Sequence, residues 1–166
     1  MFTIQLMPDI YQDKKLLRAA LEVARRSLEK GNLPFGCILA DAEGMILEEG
    51  ENTVITDHDS IAHCEINLIH KLAGKYEPDT LEKCIIYAST EPCPMCTAAI
   101  FWTGVGKIVF AIGKEVYHSI AGTDNPAFLF DISAEKLLSY EKRPVQVSGP
   151  LLEEEAAQMY TKWLSK

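Results

Sequence analysis

No stretch of this sequence approaches the roughly 20 consecutive apolar residues that a membrane-spanning helix needs. The opening residues, 1–15, scatter Gln5, Asp9, Asp13 and two lysines among apolar ones, so they lack the basic start and unbroken apolar stretch of a secretory signal. The expected location is therefore cytoplasmic, with no membrane partner. Positive charge is also scarce: 16 Lys and Arg stand against 24 Asp and Glu, a net charge of −8. Tight nucleic-acid binders draw most of their affinity from phosphate contacts. The clearest basic cluster here, Lys14, Lys15, Arg18, Arg25 and Arg26, recurs at helical spacing and reads as a solvated helix face. Glu153-Glu154-Glu155 is acidic. A polynucleotide partner is disfavoured. No internal repeat, low-complexity tract or linker interrupts the 166 residues, which suits one domain over 1–166 with a single core. Five cysteines, an odd count, argue against a disulfide framework. Cys37 and Cys84 lie in apolar runs and read as small buried hydrophobes.

What is present is a clear alternation of helical and strand patterns. Leu16, Leu17, Ala20, Leu21, Ala24 and Leu28 recur at three- and four-residue steps, which predicts an amphipathic helix over 9–30, ended at Gly31-Asn32. Phe35 to Asp41 and Met45 to Glu51, joined by Ala42-Glu43-Gly44, predict a β-hairpin. Asp57 to Ser60 offer N-cap candidates for a helix from about Ala62 to Leu72, closed by Gly74. Cys84 to Ser89 and Lys107 to Ile112 read as buried strands, and Val145 to Ser148 as a short one. Pro94 suits the first turn of a helix to about Trp102, and Leu151 to Leu164 predicts a last helix. Buried strands alternating with helices predict a mostly parallel sheet covered on both faces, with the hairpin as an antiparallel edge. Residues 115–140 carry the weakest pattern.

Two segments carry chemistry: Ala62-His63-Cys64-Glu65 and Glu91-Pro92-Cys93-Pro94-Met95-Cys96. Each falls at a predicted helix start. A Cys-x-x-Cys there has depressed thiol pKa values, because the helix N-terminus favours the thiolate. Cys93 and Cys96 alone fit a metal site or thiol–disulfide chemistry about equally, with a structural pair as a lesser option. His63 shifts the balance, because zinc prefers sulfur and imidazole ligands. Three protein ligands leave a fourth position to water, whose pKa then falls to about 7. Glu65, two residues after His63, can sit beside that position without being a ligand and move protons, work worth about 10²- to 10⁴-fold. Cys64 could instead serve as a fourth ligand, which would close the site; adjacency to His63 makes that awkward. Histidines 58, 70 and 118 show no ligand spacing.

H-x-E followed by P-C-x-x-C is the signature of zinc deaminases, and the chain resembles the cytidine/deoxycytidylate deaminase superfamily on these residues. The resemblance spans roughly residues 10–120. It implies a three-layer α/β/α fold, a five-stranded mixed sheet with helices on both faces, one Zn²⁺ per chain on His63, Cys93 and Cys96, Glu65 as the catalytic proton carrier, and a homodimer. Asn32-Leu33-Pro34-Phe35-Gly36 is similar to the substrate-facing loop of purine-type members, which implies a substrate contact for Phe35. Asn52 matches the asparagine that hydrogen-bonds substrate in the family, where a turn residue would otherwise be the simpler reading. Cys64 and the Ser89-Thr90 turn are implied to offer backbone N–H groups to the ring.

The pattern looks most like bacterial guanine deaminases and tRNA adenosine deaminases. Trp102 matches an aromatic lining the base pocket in the former, although core packing is its plain alternative. Guanine deaminases carry a Gly-x-Asp-Asp segment. This chain reads Gly122-Thr123-Asp124-Asn125, so Asp124 is the candidate and one acid is replaced. They also end in a tyrosine over the pocket, whereas this chain ends Trp163-Leu164-Ser165-Lys166. Phe128 to Phe130 and Trp163 are the lid candidates. The leading expectation is hydrolytic deamination of a free nucleobase or nucleoside, guanine first. Cytosine or aminotriazine deamination, tRNA adenosine deamination, a thiol–disulfide oxidoreductase and an idle zinc module are the alternatives.

Overall fold

The structure is a computed structural model in which residues 9–122 and 130–165 are described. Helix α1 (Ile10–Glu29) opens the chain, with Asp9 as its N-cap: Oδ1 accepts the Tyr11 and Gln12 amides at 3.1 and 3.3 Å. Strands β1 (Gly36–Ala40) and β2 (Ile46–Glu51) form the expected hairpin. Next come α2 (Cys64–Leu72), the short α3 (Pro78–Leu81), β3 (Ile85–Thr90), α4 (Pro94–Thr103) and β4 (Lys107–Ile112). Then follow α5 (Lys114–Ala121), α6 (Ala134–Leu138), β5 (Gln146–Ser148) and α7 (Glu153–Leu164). Helices α5 and α6 lie in the stretch whose sequence pattern was weakest.

The five strands form one sheet in the order β2-β1-β3-β4-β5. The sequence predicts a mostly parallel sheet, yet only β3–β4 and β4–β5 pair in parallel, while β1 is antiparallel to both β2 and β3. The reason is topological. A hairpin must reverse direction, and the α2–α3 crossover then returns the chain to a strand running like β2 but laid on the far side of β1. The sheet is therefore mixed, as the family resemblance implies.

Helices cover both faces. Along β1, Ile38 and Ala40 join the core layer under α1, α5 and α7, while Cys37 and Leu39 join the layer under α2, α4 and α6. This period-2 division sends alternate side chains to opposite hydrophobic layers, so a central strand reads as a continuous apolar run. No helix among the described residues is long and apolar enough to cross a membrane.

Close approach sets where α2 begins. A Cβ on Gly50 would lie 2.2 Å from the Cys64 carbonyl oxygen, so only glycine lets β2 pass that close to the first turn of α2. The predicted caps, Asp57 to Ser60, do not cap this helix; residues 54–61 form turns, in which Asp59 Oδ1 accepts the Ile61 amide at 3.0 Å. His63 occupies the N-cap position and makes no side-chain cap bond.

The three arginines of α1 are spent on neighbouring acids. Arg18 meets Glu155 at 2.8 Å, Arg25 pairs with Glu22 and Glu29, and Arg26 pairs with Glu49. Glu153, Glu154 and Glu155 form the first turn of α7, where the helix dipole favours negative charge.

Candidate active site

His63 and Cys93 hold the same position in their helices. Each is the N-cap residue, of α2 and α4 respectively, and neither makes a side-chain cap bond. Both side chains are committed elsewhere. His63 Nδ1 lies 3.6 Å from Cys93 Sγ and 3.6 Å from Cys96 Sγ. Zn–N bonds of about 2.0–2.1 Å and Zn–S bonds of about 2.3 Å, meeting at a tetrahedral angle, place nitrogen and sulfur about 3.6 Å apart. The three ligand atoms all fall within 4.8 Å of one another and could hold a metal ion. Their spacing fits zinc.

The acid–base state of these groups agrees. The hydrogen bond shared with Cys96, reinforced by the imidazole, pulls the Cys93 thiol down to about 4, and the same sharing pushes Cys96 up. The pair thus keeps one proton between two sulfurs. The Cys93 thiolate raises the His63 pKa. One soft anion and a nearby imidazole are half of a zinc site's donor set, and a divalent cation would displace the remaining proton. Cys64, by contrast, is buried with its sulfur beside Cys37, and burial raises its thiol. It is not among the three clustered ligands, which leaves one coordination position open.

Glu65 sits one residue into α2, buried at 6% exposure, and it lines the same cavity as His63 and Cys93. Burial, with the Cys93 thiolate as a second cause, raises its pKa. A carboxyl group in this setting holds a proton more readily than an exposed one, as a proton carrier must.

The cavity encloses about 300 Å³. It lies beyond the carboxyl ends of the parallel strands β3 and β4, where open α/β sheets place their ligands. Phe35, Asn52, Ser89 and Thr90 all line it. Asn52 follows β2 and is held on three sides. Its N–H donates to the Phe35 carbonyl at 3.1 Å, its carbonyl accepts the Ser27 hydroxyl at 2.8 Å, and Oδ1 accepts the Val54 amide at 3.1 Å. Its Nδ2 is buried and meets no acceptor among the described residues. A buried, unspent donor is costly unless a ligand satisfies it.

Ser89 and Thr90 form the end of β3 and not a turn, since strand pairing with β4 continues through Thr90. The Ser89 hydroxyl accepts the Gly36 amide at 3.1 Å, which fixes β1 beside the cavity. Thr90 Oγ1 lies 2.9 Å from the Tyr160 hydroxyl.

Two aromatic expectations are corrected. Trp102 is 82% exposed and does not line the cavity. Helix α4 starts at the metal cluster and advances about 1.5 Å per residue, so a residue two turns on is carried away from it. Trp163 stacks edge-on against Tyr160 at 5.2 Å in the layer under α7, which removes it as a lid. Of the other lid candidates, Phe130 lines the cavity and is 70% exposed, while Phe128 lies outside the described residues, as does Asp124.

Several cavity residues carry no sequence signal. Lys114, Tyr117 and His118 reach it from α5, and Glu91 from the β3–α4 connection. His118, which shows no ligand spacing in the sequence, thus stands at the cavity wall; burial lowers its pKa. Glu91 braces the site: its carboxylate accepts the Lys114 amide at 3.4 Å and the Ala134 amide at 2.9 Å, tying the starts of α5 and α6 to the metal loop.

Comparison with known proteins agrees with this geometry. Residues 10–112 match the model of the cytidine and deoxycytidylate deaminase zinc-binding region. A probable cytosine deaminase of Schizosaccharomyces pombe is 34% identical over 145 residues, 87% of this chain and 88% of that protein. The guanine deaminase of Bacillus subtilis is 36% identical over 110 residues, 66% of this chain and 69% of that protein. The solved structure of the guanine deaminase from Nitrosomonas europaea superposes with a TM-score of 0.75 at 23% identity, covering 100% of this chain and 97% of that one, which establishes the shared fold. The ligand geometry, the H-x-E and P-C-x-x-C segments and the match over residues 10–112 together show that this chain belongs to the zinc-binding cytidine and deoxycytidylate deaminase family.

Proposed function

We propose that this protein hydrolytically deaminates a free nucleobase, guanine before others, giving the oxo base and ammonia. The observation that carries this reading is the unspent Nδ2 of Asn52, a residue that lines a cavity of about 300 Å³ together with Glu65 and two of the metal ligands, His63 and Cys93. Such a volume has room for the fused rings of a purine, and a fixed amide donor at its wall suits a ring acceptor. The three arginines of α1 are ion-paired and the net charge is −8, so little positive charge is offered to a polynucleotide backbone.

His63, Cys93 and Cys96 would hold a zinc ion, which when bound would supply a water activated at neutral pH. The chain's own residues do the rest. Glu65 takes the proton lost by the water and hands it to the ring nitrogen beside the amino-bearing carbon. As the water's oxygen bonds to that carbon, Glu65 takes up the second proton from the new hydroxyl and delivers it to the departing amine, so the oxo group forms as the C–N bond breaks and ammonia leaves. Asn52 donates Nδ2–H to an acceptor on the ring, and Phe35 and Tyr117, stacked edge to face at 5.0 Å, form an aromatic wall. Glu65, Asn52, Phe35, Ser89 and Thr90 are the residues this reading assigns to the substrate.

A second reading is cytosine deamination, favoured by the S. pombe relative, whose similarity runs over 87% of this chain. Ammonia release from guanine, adenine, cytosine, guanosine, cytidine and aminotriazines decides between them. The highest kcat/KM on guanine supports the first reading and on cytosine the second. Release from tRNA adenosine alone would overturn both.

A further inference from the structure

Lys114 is a buried cation that the catalytic roles above leave unused. It is the first residue of α5, and only 8% of its surface is exposed. It lines the same cavity as Asn52 and Glu65. Its ammonium lies 2.8 Å from Asp131 Oδ1 as an ion pair, yet makes no hydrogen bond of good geometry with any described group. Asp131 itself is 54% exposed in its side chain, so water screens its half of the pair. Desolvating an ammonium is expensive unless its N–H groups find acceptors. A lysine has three such donors, and Asp131 can satisfy only part of them. Tertiary packing has therefore placed a charged side chain with unspent, buried donors among the residues that line the substrate cavity.

Resting on the proposed function, we infer that Lys114 is a specificity-determining residue: its ammonium hydrogen-bonds the ring oxo oxygen of the base, and selects oxo-bearing aminoheterocycles over those that lack the oxo group. The amino-bearing carbon must face Glu65 and the zinc ligands, so the substrate's remaining polar edge is left to Asn52 and Lys114. Amino and oxo groups occur together in guanine and cytosine, whereas 2-aminopurine and 4-aminopyrimidine carry the amino group alone. A buried charged donor penalises the analogue that leaves it unpaired.

The test compares zinc-loaded wild type with Lys114→Met, which keeps length and bulk without the donors, and with Asp131→Asn, which removes the ion pair and keeps the ammonium. The readouts are kcat/KM for ammonia release from guanine against 2-aminopurine and from cytosine against 4-aminopyrimidine, and equilibrium binding of the same bases in the Glu65→Gln background. The expected result is that Lys114→Met cuts the preference for the oxo member by about 10- to 10²-fold, through KM and affinity more than kcat, while Asp131→Asn holds it within about 3-fold. A preference unchanged in Lys114→Met overturns the inference. So does an equal collapse in Asp131→Asn, because the ion pair would then act by holding its segment in place. Either leaves the proposed function standing. A wild type that neither binds nor deaminates any of the four bases overturns both.

Discussion

The hydroxyl of Tyr160, in the last helix, lies 2.9 Å from that of Thr90, at the end of the strand that leads into the metal loop. The same hydroxyl also donates to the Pro34 carbonyl at 2.9 Å. One buried phenol thus joins α7 to two segments of the cavity wall. Tyr160→Phe leaves a buried carbonyl and a buried hydroxyl without their partner, at a cost of about 1–3 kcal/mol. Thermal unfolding should show that loss, and steady-state kinetics should show KM raised more than kcat lowered, because the wall loosens while Glu65 and the ligands stay in place.

Glu65→Gln keeps the shape of the side chain and removes its ability to carry a proton. Activity should fall by at least about 10²-fold while zinc content stays at wild-type level. Rates measured beside metal analysis of the same samples check this. A variant that deaminates normally would remove Glu65 from the proton path.

One zinc per chain is expected by elemental analysis. Prolonged chelation should abolish ammonia release and lower the unfolding temperature, since a metal bound only by the folded state stabilises it. Cys96→Ser should lower zinc occupancy as well as activity, which separates it from Glu65→Gln. A thiol–disulfide oxidoreductase would instead keep its activity after chelation.

Asn52→Asp retains the acceptor that holds the Val54 amide and loses the Nδ2 donor. A drop in kcat/KM of about 10-fold or more is expected, with the fold intact by circular dichroism. Asn52→Ala removes the acceptor too, so it should also lose stability.

Tyr87 ties the sheet to α1 through Asp13, its hydroxyl 2.6 Å from Oδ1, with Lys107 3.6 Å from the other carboxylate oxygen. Tyr87→Phe takes from the buried Asp13 carboxylate the donor on Oδ1, leaving only Lys107 beside it, and should cost about 1–3 kcal/mol in denaturant unfolding. Burial and the Asp13 carboxylate raise the folded-state pKa of Tyr87 above the ordinary value near 10. A raised pKa means the folded state holds the phenolic proton more tightly. That stability is fully present below about pH 10 and is lost as pH rises above it. Alkaline unfolding should therefore be steeper in the wild type than in Tyr87→Phe.

Much of the molecule was legible in the sequence because local rules governed it. The apolar period over 9–30, the glycine-containing hairpin turn and the proline in the first turn of α4 set element types to within a few residues. The H-x-E and P-C-x-x-C segments named the metal ligands before any distance was known, because two thiolates, an imidazole and a neighbouring carboxylate form a donor set with few other uses. The same spacing concealed a conflict. Asp57 to Ser60 look like caps, but a metal ligand holds the N-cap position of α2.

The sequence by itself determined the chemistry at one end of the cavity, because those side chains come in two short segments whose helix starts aim them together. Tertiary structure alone decided the other walls. Lys114, Tyr117 and His118 meet Asn52 across segments far apart in the chain, and no periodicity encodes such a meeting. It also decided against Trp102, which matches a pocket residue by pattern but rides along α4 to an exposed surface. Spacing along a chain fixes what a single turn can grip. Which distant side chains share a cavity depends on how the sheet is ordered and how its helices pack.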